Sequence, residues 1–168
     1  MELCDGSLKD HEELAREFGR DNIIKQLLDM AELLQADFDG CHNDVKPSNI
    51  LYVKTVTNGK TSLELKLSDF GMSDRWGGTP GWSPHNFTDE RKPGDDIYSF
   101  GLIILYVLCE KNDLFYIIRD SFLDGFFKPQ INNFRNLPEI KIILRMIDVE
   151  TTPDIKNIKA SDQILQNK

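Results

Sequence analysis

Cysteine, basic charge and long apolar runs are all in short supply here, and each shortage closes off a class of protein. Cys4, Cys41 and Cys109 are odd in number, widely spread and form no C-x-x-C pair. They argue against a disulfide frame or a zinc site and read as free thiols in a reducing, cytoplasmic compartment. Lysine and arginine number 20 against 28 acidic residues, a net charge of −8. Such a balance speaks against a general binder of nucleic acid or of anionic membrane. The longest largely apolar stretch, Ile97 to Cys109, spans 13 residues, short of the roughly 20 that cross a bilayer as a helix. It suits a buried helix instead. Met1-Glu2-Leu3-Cys4-Asp5 has no basic region leading into an apolar one, so no secretory signal is expected.

What remains is the composition of a packed globular chain, 40% hydrophobic with ten phenylalanines in 168 residues, enough for one domain with a real core. No repeat, low-complexity tract or linker interrupts it. Leu8, Leu14 and Phe18 have near-helical spacing over Ser7 to Phe18, with Gly19 as a stop. Asp21 is placed to cap a second helix, in which Ile24, Leu27, Leu28, Ala31, Leu34 and Phe38 make one apolar stripe. Gly40 to Asn49 is a loop crowded with polar groups. Ile50–Val53 and Leu63–Leu67 are strand patterns, and Asn58-Gly59 between them signals a hairpin turn. Met72 to Gly94 is rich in Gly, Pro, Ser and Asp and reads as irregular. A helix from Asp95 to Glu110 is apolar nearly all round. Further helices are expected near Leu114–Phe122, Pro138–Ile147 and Pro153–Leu165.

Two stretches carry chemistry: His42-Asn43-Asp44-Val45-Lys46-Pro47-Ser48-Asn49 and Ser68-Asp69-Phe70-Gly71. The first puts a carboxylate, an ammonium and a carboxamide on one loop, and the second adds a carboxylate beside a glycine. Phosphoryl transfer asks a protein mainly for charge neutralisation and in-line positioning, and these are the groups that supply both. The pair resembles the catalytic loop and metal-binding motif of eukaryotic protein kinases, about 20 residues apart with a hairpin between them. Asp-x-Lys-Pro-x-Asn resembles the serine/threonine branch. The element order resembles the larger, helical lobe of that family from end to end.

The resemblance implies a mainly α fold, a helical bundle with a small β-hairpin carrying the catalytic and metal-binding loops. It divides residues 1–168 into a hinge at 1–6, a catalytic loop at 42–49, an activation segment at 69–85 and a helical subdomain at 95–168. It implies ATP and Mg²⁺ as cofactors and a protein hydroxyl as acceptor. Asp44 would orient that hydroxyl and Lys46 would place charge at the γ-phosphate, while Asn49 and Asp69 would give Mg²⁺ its oxygens. The backbones of Glu2 and Cys4 would meet the adenine edge, with Leu51 as its floor and Ser68 beside the nucleotide. His42, Phe70, Gly71 and Asp96 would support the site. Gly71 would permit a sharp turn after Phe70, and Asp96 would accept amides of the catalytic loop.

Gly78-Thr79-Pro80-Gly81-Trp82-Ser83-Pro84-His85 resembles the end of a kinase activation segment, with departures. His85 stands where the family has Glu, and Thr152 where its Arg partner belongs. Joint loss of an ion pair is coherent, since one buried charge left alone is costly. Asn43 replaces the arginine that reads an activation-segment phosphate. No G-x-G-x-x-G and no Val-Ala-Ile-Lys strand occurs. Both belong to the smaller lobe, so the chain is expected to bind Mg²⁺-ATP weakly and transfer little, and a protein partner would cover its exposed upper face. Two alternatives stay open. One is a pseudokinase-like protein-binding module, favoured by Asn43 and His85; the other is a small-molecule kinase, which shares His-x-Asp and a later aspartate.

Overall fold

The computed structural model describes residues 3–37, 42–72, 78–84, 94–109, 115, 119, 138–147 and 154–160. Helix α1 (His11–Phe18) ends where the Gly19 amide bonds the Ala15 carbonyl. Helix α2 (Arg20–Asp37) follows at once. Its apolar stripe is the core face: Ile23, Leu27, Leu28 and Ala31 have no solvent exposure. Asp21 sits in the first turn of α2, not ahead of it, because the helix starts at Arg20, two residues earlier than the capping pattern suggests. Phe38 lies outside the described residues.

The hairpin pairs β2 (Ile50–Thr57) with β3 (Lys60–Leu67) in a register running from Ile50 opposite Leu67 to Thr57 opposite Lys60. Asn58 and Gly59 have φ of 53° and 75°, both left-handed, as a tight two-residue hairpin turn requires. A third strand, β1 (Gly6–Ser7), joins the edge with Gly6 opposite Tyr52. Sequence had put Ser7 in a helix. Ser7 is extended instead, Leu8–Asp10 form a 3-10 turn, and α1 starts only at His11.

Helix α3 (Gly94–Leu108) is the central post, with every residue from Asp96 to Val107 buried. It packs against α2 on one side and α4 (Pro138–Met146) on the other. Gly101 makes that second contact close: a Cβ there would lie 2.9 Å from Met146 Cβ and from Ile147 Cγ2. Helix α5 (Ile155–Ala160) is tied to α2 by Lys159, whose Nζ lies 2.5 Å from both Asp29 and Glu32. Gln35 Oε1 accepts the Ile155 amide at 3.1 Å. The fold is mainly α with a small antiparallel sheet, as expected for a kinase-like helical lobe. Of the expected helix near Leu114–Phe122, only Phe115 and Arg119 are described, and residues 161–168 also lie outside the described set. Among the described residues no helix is long and apolar enough to cross a membrane. Cys4 and Cys109 are free thiols, and burial pushes the Cys109 thiol up to about 11.

Candidate functional site

The site is built on the first turn of α3. Asp96, 1% exposed, accepts the His42 amide at 2.6 Å and the Asn43 amide at 2.9 Å. One carboxylate thus fixes two successive peptide units of a loop 53 residues upstream. Asn43 takes φ of 65°, a left-handed conformation that Asn tolerates better than most side chains. The chain then turns so that Asp44 faces three donors.

Lys46 Nζ donates to Asp44 Oδ2 at 2.7 Å and to Thr79 Oγ1 at 2.8 Å. The Thr79 hydroxyl in turn donates to Asp44 Oδ1 at 2.6 Å, closing a ring of three side chains. Asn49 adds its Nδ2, donating to the Asp44 carbonyl at 2.9 Å and to Oδ2 at 3.2 Å. Burial alone would raise the Asp44 carboxyl. Hydrogen bonds from Lys46 and Thr79, the Lys46 charge and the Asn49 amide outweigh it and hold the carboxyl below its ordinary value. Asp44 is therefore a firmly ionised acceptor.

A second clamp joins the exit of β3 to the same loop. The Ser68 amide and hydroxyl both donate to the Asn49 carbonyl, at 2.8 and 2.9 Å. The Ser68 carbonyl lies 2.9 Å from His42 Nε2, while His42 Nδ1 lies 3.3 Å from the Asp44 amide. A carbonyl can only accept and an amide can only donate, so the neutral ring carries its proton on Nε2. Burial lowers the His42 pKa, against the pull of the Ser68 carbonyl and of Asp44 and Asp69, and keeps the ring neutral. Asp69 follows with φ of 63° and an exposed carboxylate. Phe70 packs its ring edge against His42 at 4.6 Å.

No family model matches the chain. It is 33% identical over 95 residues to a putative cysteine-rich receptor-like protein kinase 32 of Arabidopsis thaliana, a match covering 48% of this chain and 13% of that protein. It is 25% identical over 116 residues to cysteine-rich receptor-like protein kinase 14 of the same plant, covering 61% of this chain and 17% of the relative. Kinase-related sequence thus runs through about half of the chain. The chain spans less than a fifth of the length of these curated relatives.

The described residues bring Asp44, Lys46, Asn49 and Thr79 into direct contact, with Ser68 and His42 leading to Asp69 and Asp96 beneath them. Leu51 is half-buried in β2, between Ser7 and Lys66. Cys4 is half-buried ahead of β1. Glu2 lies outside the described residues, as do His85 and Thr152. Gly71 lies within a 3-10 turn over Phe70–Met72 and is not among the residues of positive φ. The left-handed residue of this stretch is Asp69, directly after the Ser68 clamp.

Among the described residues no three His, Cys, Asp or Glu side chains cluster as a metal site. The donor set is one carboxamide and one carboxylate. Asn49 spends its Nδ2 on Asp44, and its Oδ1 accepts only a long 3.5 Å hydrogen bond from the Ser48 hydroxyl. The Asp69 carboxylate is exposed. Two hard oxygens fit Mg²⁺, which keeps several waters and takes its remaining ligands from substrate phosphate.

Thr79 is the residue that sequence reasoning missed. It stood within the Gly-Thr-Pro-Gly-Trp stretch, yet nothing local marked its hydroxyl as the bridge between Asp44 and Lys46. Its position follows from packing further on. The Trp82 amide bonds the Thr79 carbonyl at 3.0 Å, and the Trp82 ring stacks on Phe115 at 5.1 Å and meets Tyr106 edge-on at 5.6 Å.

Proposed function

We propose that this chain carries the catalytic machinery of a protein serine/threonine kinase, passing the γ-phosphoryl of ATP to a protein hydroxyl. The observation that supports it most is the convergence of Lys46, Asn49 and Thr79 on Asp44. In this reading Asp44 accepts a hydrogen bond from the incoming hydroxyl once Thr79 yields Oδ1, and it orients that oxygen for attack. Lys46 stays on Oδ2 and lends positive charge to the transferred group. Asn49 and Asp69 would hold Mg²⁺, which neutralises phosphate charge when bound. His42 and Asp96 touch no substrate; they fix the loop. The sequence Asp44-x-Lys46-Pro47-x-Asn49 supports a serine or threonine acceptor.

The experiment is an NMR titration of the chain with ATP, with and without Mg²⁺, in wild type and Asp69→Ala. Mg²⁺-dependent shifts at Asn49 and Asp69 that vanish in Asp69→Ala are the expected result. Shifts elsewhere only, or shifts indifferent to Asp69→Ala, would refute the reading. The chain by itself is expected to transfer little; transfer to serine and threonine peptides by an upstream-extended protein, lost in Asp44→Asn, tests the acceptor class.

A second reading has one specific observation behind it. Both Asp44 oxygens and the Lys46 ammonium are already engaged in the Thr79 ring, an arrangement that also suits a non-catalytic, pseudokinase-like protein-binding module. Nucleotide-independent partner binding, unchanged in Asp44→Asn, would favour it.

A further inference from the structure

An edge strand presents a row of unpaired amides and carbonyls to any strand that approaches, and β3 is an edge of the three-stranded sheet. The Ser68 amide bonds the Asn49 carbonyl, and bonded and non-bonded pairs alternate along an antiparallel ladder. Leu67, Leu65, Leu63 and Thr61 therefore turn their backbone groups away from β2. At the middle of that row the side chain of Gln26 reaches across from α2. The Leu65 amide donates to Gln26 Oε1 at 2.8 Å, and Gln26 Nε2 donates to the Leu63 carbonyl at 3.2 Å. An amide can only donate and a carbonyl can only accept, so this contact fixes which way the carboxamide faces. Asn22 Oδ1, one turn back on α2, accepts from the same Nε2 at 3.3 Å.

The far side of the hairpin is closed at the same level. Asp5 donates its amide to the Tyr52 carbonyl at 2.9 Å and accepts the Lys54 amide on its carboxylate at 2.7 Å. Tyr52 and Lys54 stand opposite Leu65 and Leu63, so the same two cross-strand pairs are flanked on both outer sides. The two closures differ in what lies beyond them. Asp5 leads straight into β1, which continues the sheet. Among the described residues no strand lies beyond β3. Gln26 is half-buried, and Asn22 and Lys25 beside it are exposed, so this edge borders solvent.

Left open, the row would suit a second copy of itself. Leu63, Leu65 and Leu67 lie on the core face, while Glu64 and Lys66 share the other face and pair at 3.6 Å along the strand. In an antiparallel pairing of two β3 strands centred on Leu65, Leu63 meets the other copy's Leu67 and Glu64 meets the other copy's Lys66, each contact occurring twice about the two-fold axis. Centred on Leu63 instead, Lys60 would meet Lys66, a like-charge pair. We propose that Gln26 guards this edge, its carboxamide occupying the hydrogen-bonding positions through which β3 would otherwise pair with β3 of a second copy. Between Leu63 and the turn just Thr61 turns its backbone groups outward, too short a run for a strand to seize. No residue of the Asp44 ring takes part, so the guard is independent of the phosphoryl-transfer reading.

The test compares wild type with Gln26→Ala, each as the full chain, by light scattering across a range of concentrations, with circular dichroism to show that both are folded. Gln26→Ala is expected to self-associate at least about tenfold more tightly than wild type, the gain from freeing one amide and one carbonyl for bonds between copies. Adding Glu64→Lys, which sets a lysine against the other copy's Lys66, should return Gln26→Ala to wild-type behaviour. Hydrogen exchange on the wild type requires no variant to fold: the Leu65 amide, held by Gln26, should exchange more slowly than the Thr61 amide on the same edge. Association of Gln26→Ala no tighter than that of wild type, association undiminished by Glu64→Lys, or equal exchange at Leu65 and Thr61 would each overturn the proposal.

Discussion

Replacing Asp96 with Asn changes almost no volume and removes one acceptor from a place that uses two. Asp96 is 1% exposed and takes the His42 and Asn43 amides on separate oxygens, at 2.6 and 2.9 Å. Hydrogen bonds to a charged group contribute about 1.5–3 kcal/mol each. The carboxamide can accept from one amide at neutral strength and turns an NH₂ toward the other. Asp96→Asn is therefore expected to cost about 2–4 kcal/mol, and Asp96→Ala, which strands both amides, more than that. Domains of this kind have only about 5–15 kcal/mol in total. With a urea slope near 2 kcal/mol/M, the unfolding midpoint of Asp96→Asn should fall by about 1–2 M. Circular dichroism reads that midpoint, and amide exchange shows whether His42 and Asn43 lose protection first. A variant within about 0.5 kcal/mol of wild type, the range of neutral surface changes, would refute the reasoning. The loop would then be held by something other than the first turn of α3.

Four further outcomes are expected. Thr79→Val removes the hydroxyl donor to Asp44 Oδ1, so NMR should find the Asp44 carboxyl titrating higher than in wild type, with about 1 kcal/mol of stability lost. Gly101→Val wedges α3 from α4, since even a Cβ meets Met146 and Ile147 at 2.9 Å; thermal unfolding should register a loss of about 1–3 kcal/mol. Lys159→Met breaks two partly exposed ion pairs with Asp29 and Glu32 and should cost about 1 kcal/mol at low salt, shrinking as salt rises. His11 and His42 both have pKa values lowered from 6.5, chiefly by burial. The unfolded chain takes up their protons first as pH falls, so the stability they contribute is complete above about pH 6.5 and is lost on going down through their folded values. A urea midpoint that stays flat from about pH 7 to about pH 5 would contradict this.

Legibility in the sequence followed the range of the interaction. The α2 stripe, the all-apolar α3 and the Asn58-Gly59 turn were readable because period and turn chemistry are local. Strand β1 was not, since two residues opposite Tyr52 and Leu51 have no pattern of their own. The approach of Asp96 to the 42–49 loop was legible only through the family resemblance. Nothing in either stretch alone predicts a contact 54 residues apart. Thr79 failed for the same reason, its hydroxyl being placed by the Trp82, Tyr106 and Phe115 rings. The burial of His11 had no signal at all. A histidine at the start of a polar helix looks solvated until α3 covers it.

Three non-glycine residues among those described have positive φ, and their placement tells the supports of the site from its strains. Asn58 belongs to the hairpin turn, where that conformation is required. Asn43 and Asp69 have no such excuse: one directly precedes Asp44 and the other directly follows the Ser68 clamp. A left-handed residue other than glycine costs about 1–2 kcal/mol, somewhat less for Asn and Asp. Such conformations persist where surrounding structure over-determines them, as it commonly does at functional sites. At Asn43 the restraint is Asp96, whose two charged bonds exceed the strain by themselves. At Asp69 it is Ser68, held through its amide, hydroxyl and carbonyl by Asn49 and His42. Both restraints meet in His42, which takes Asp96 on its amide and Ser68 on its ring. His42→Ala should therefore loosen both strained residues together, and faster amide exchange at Asn43 without any change near Asp69 would show the two ends to be held independently.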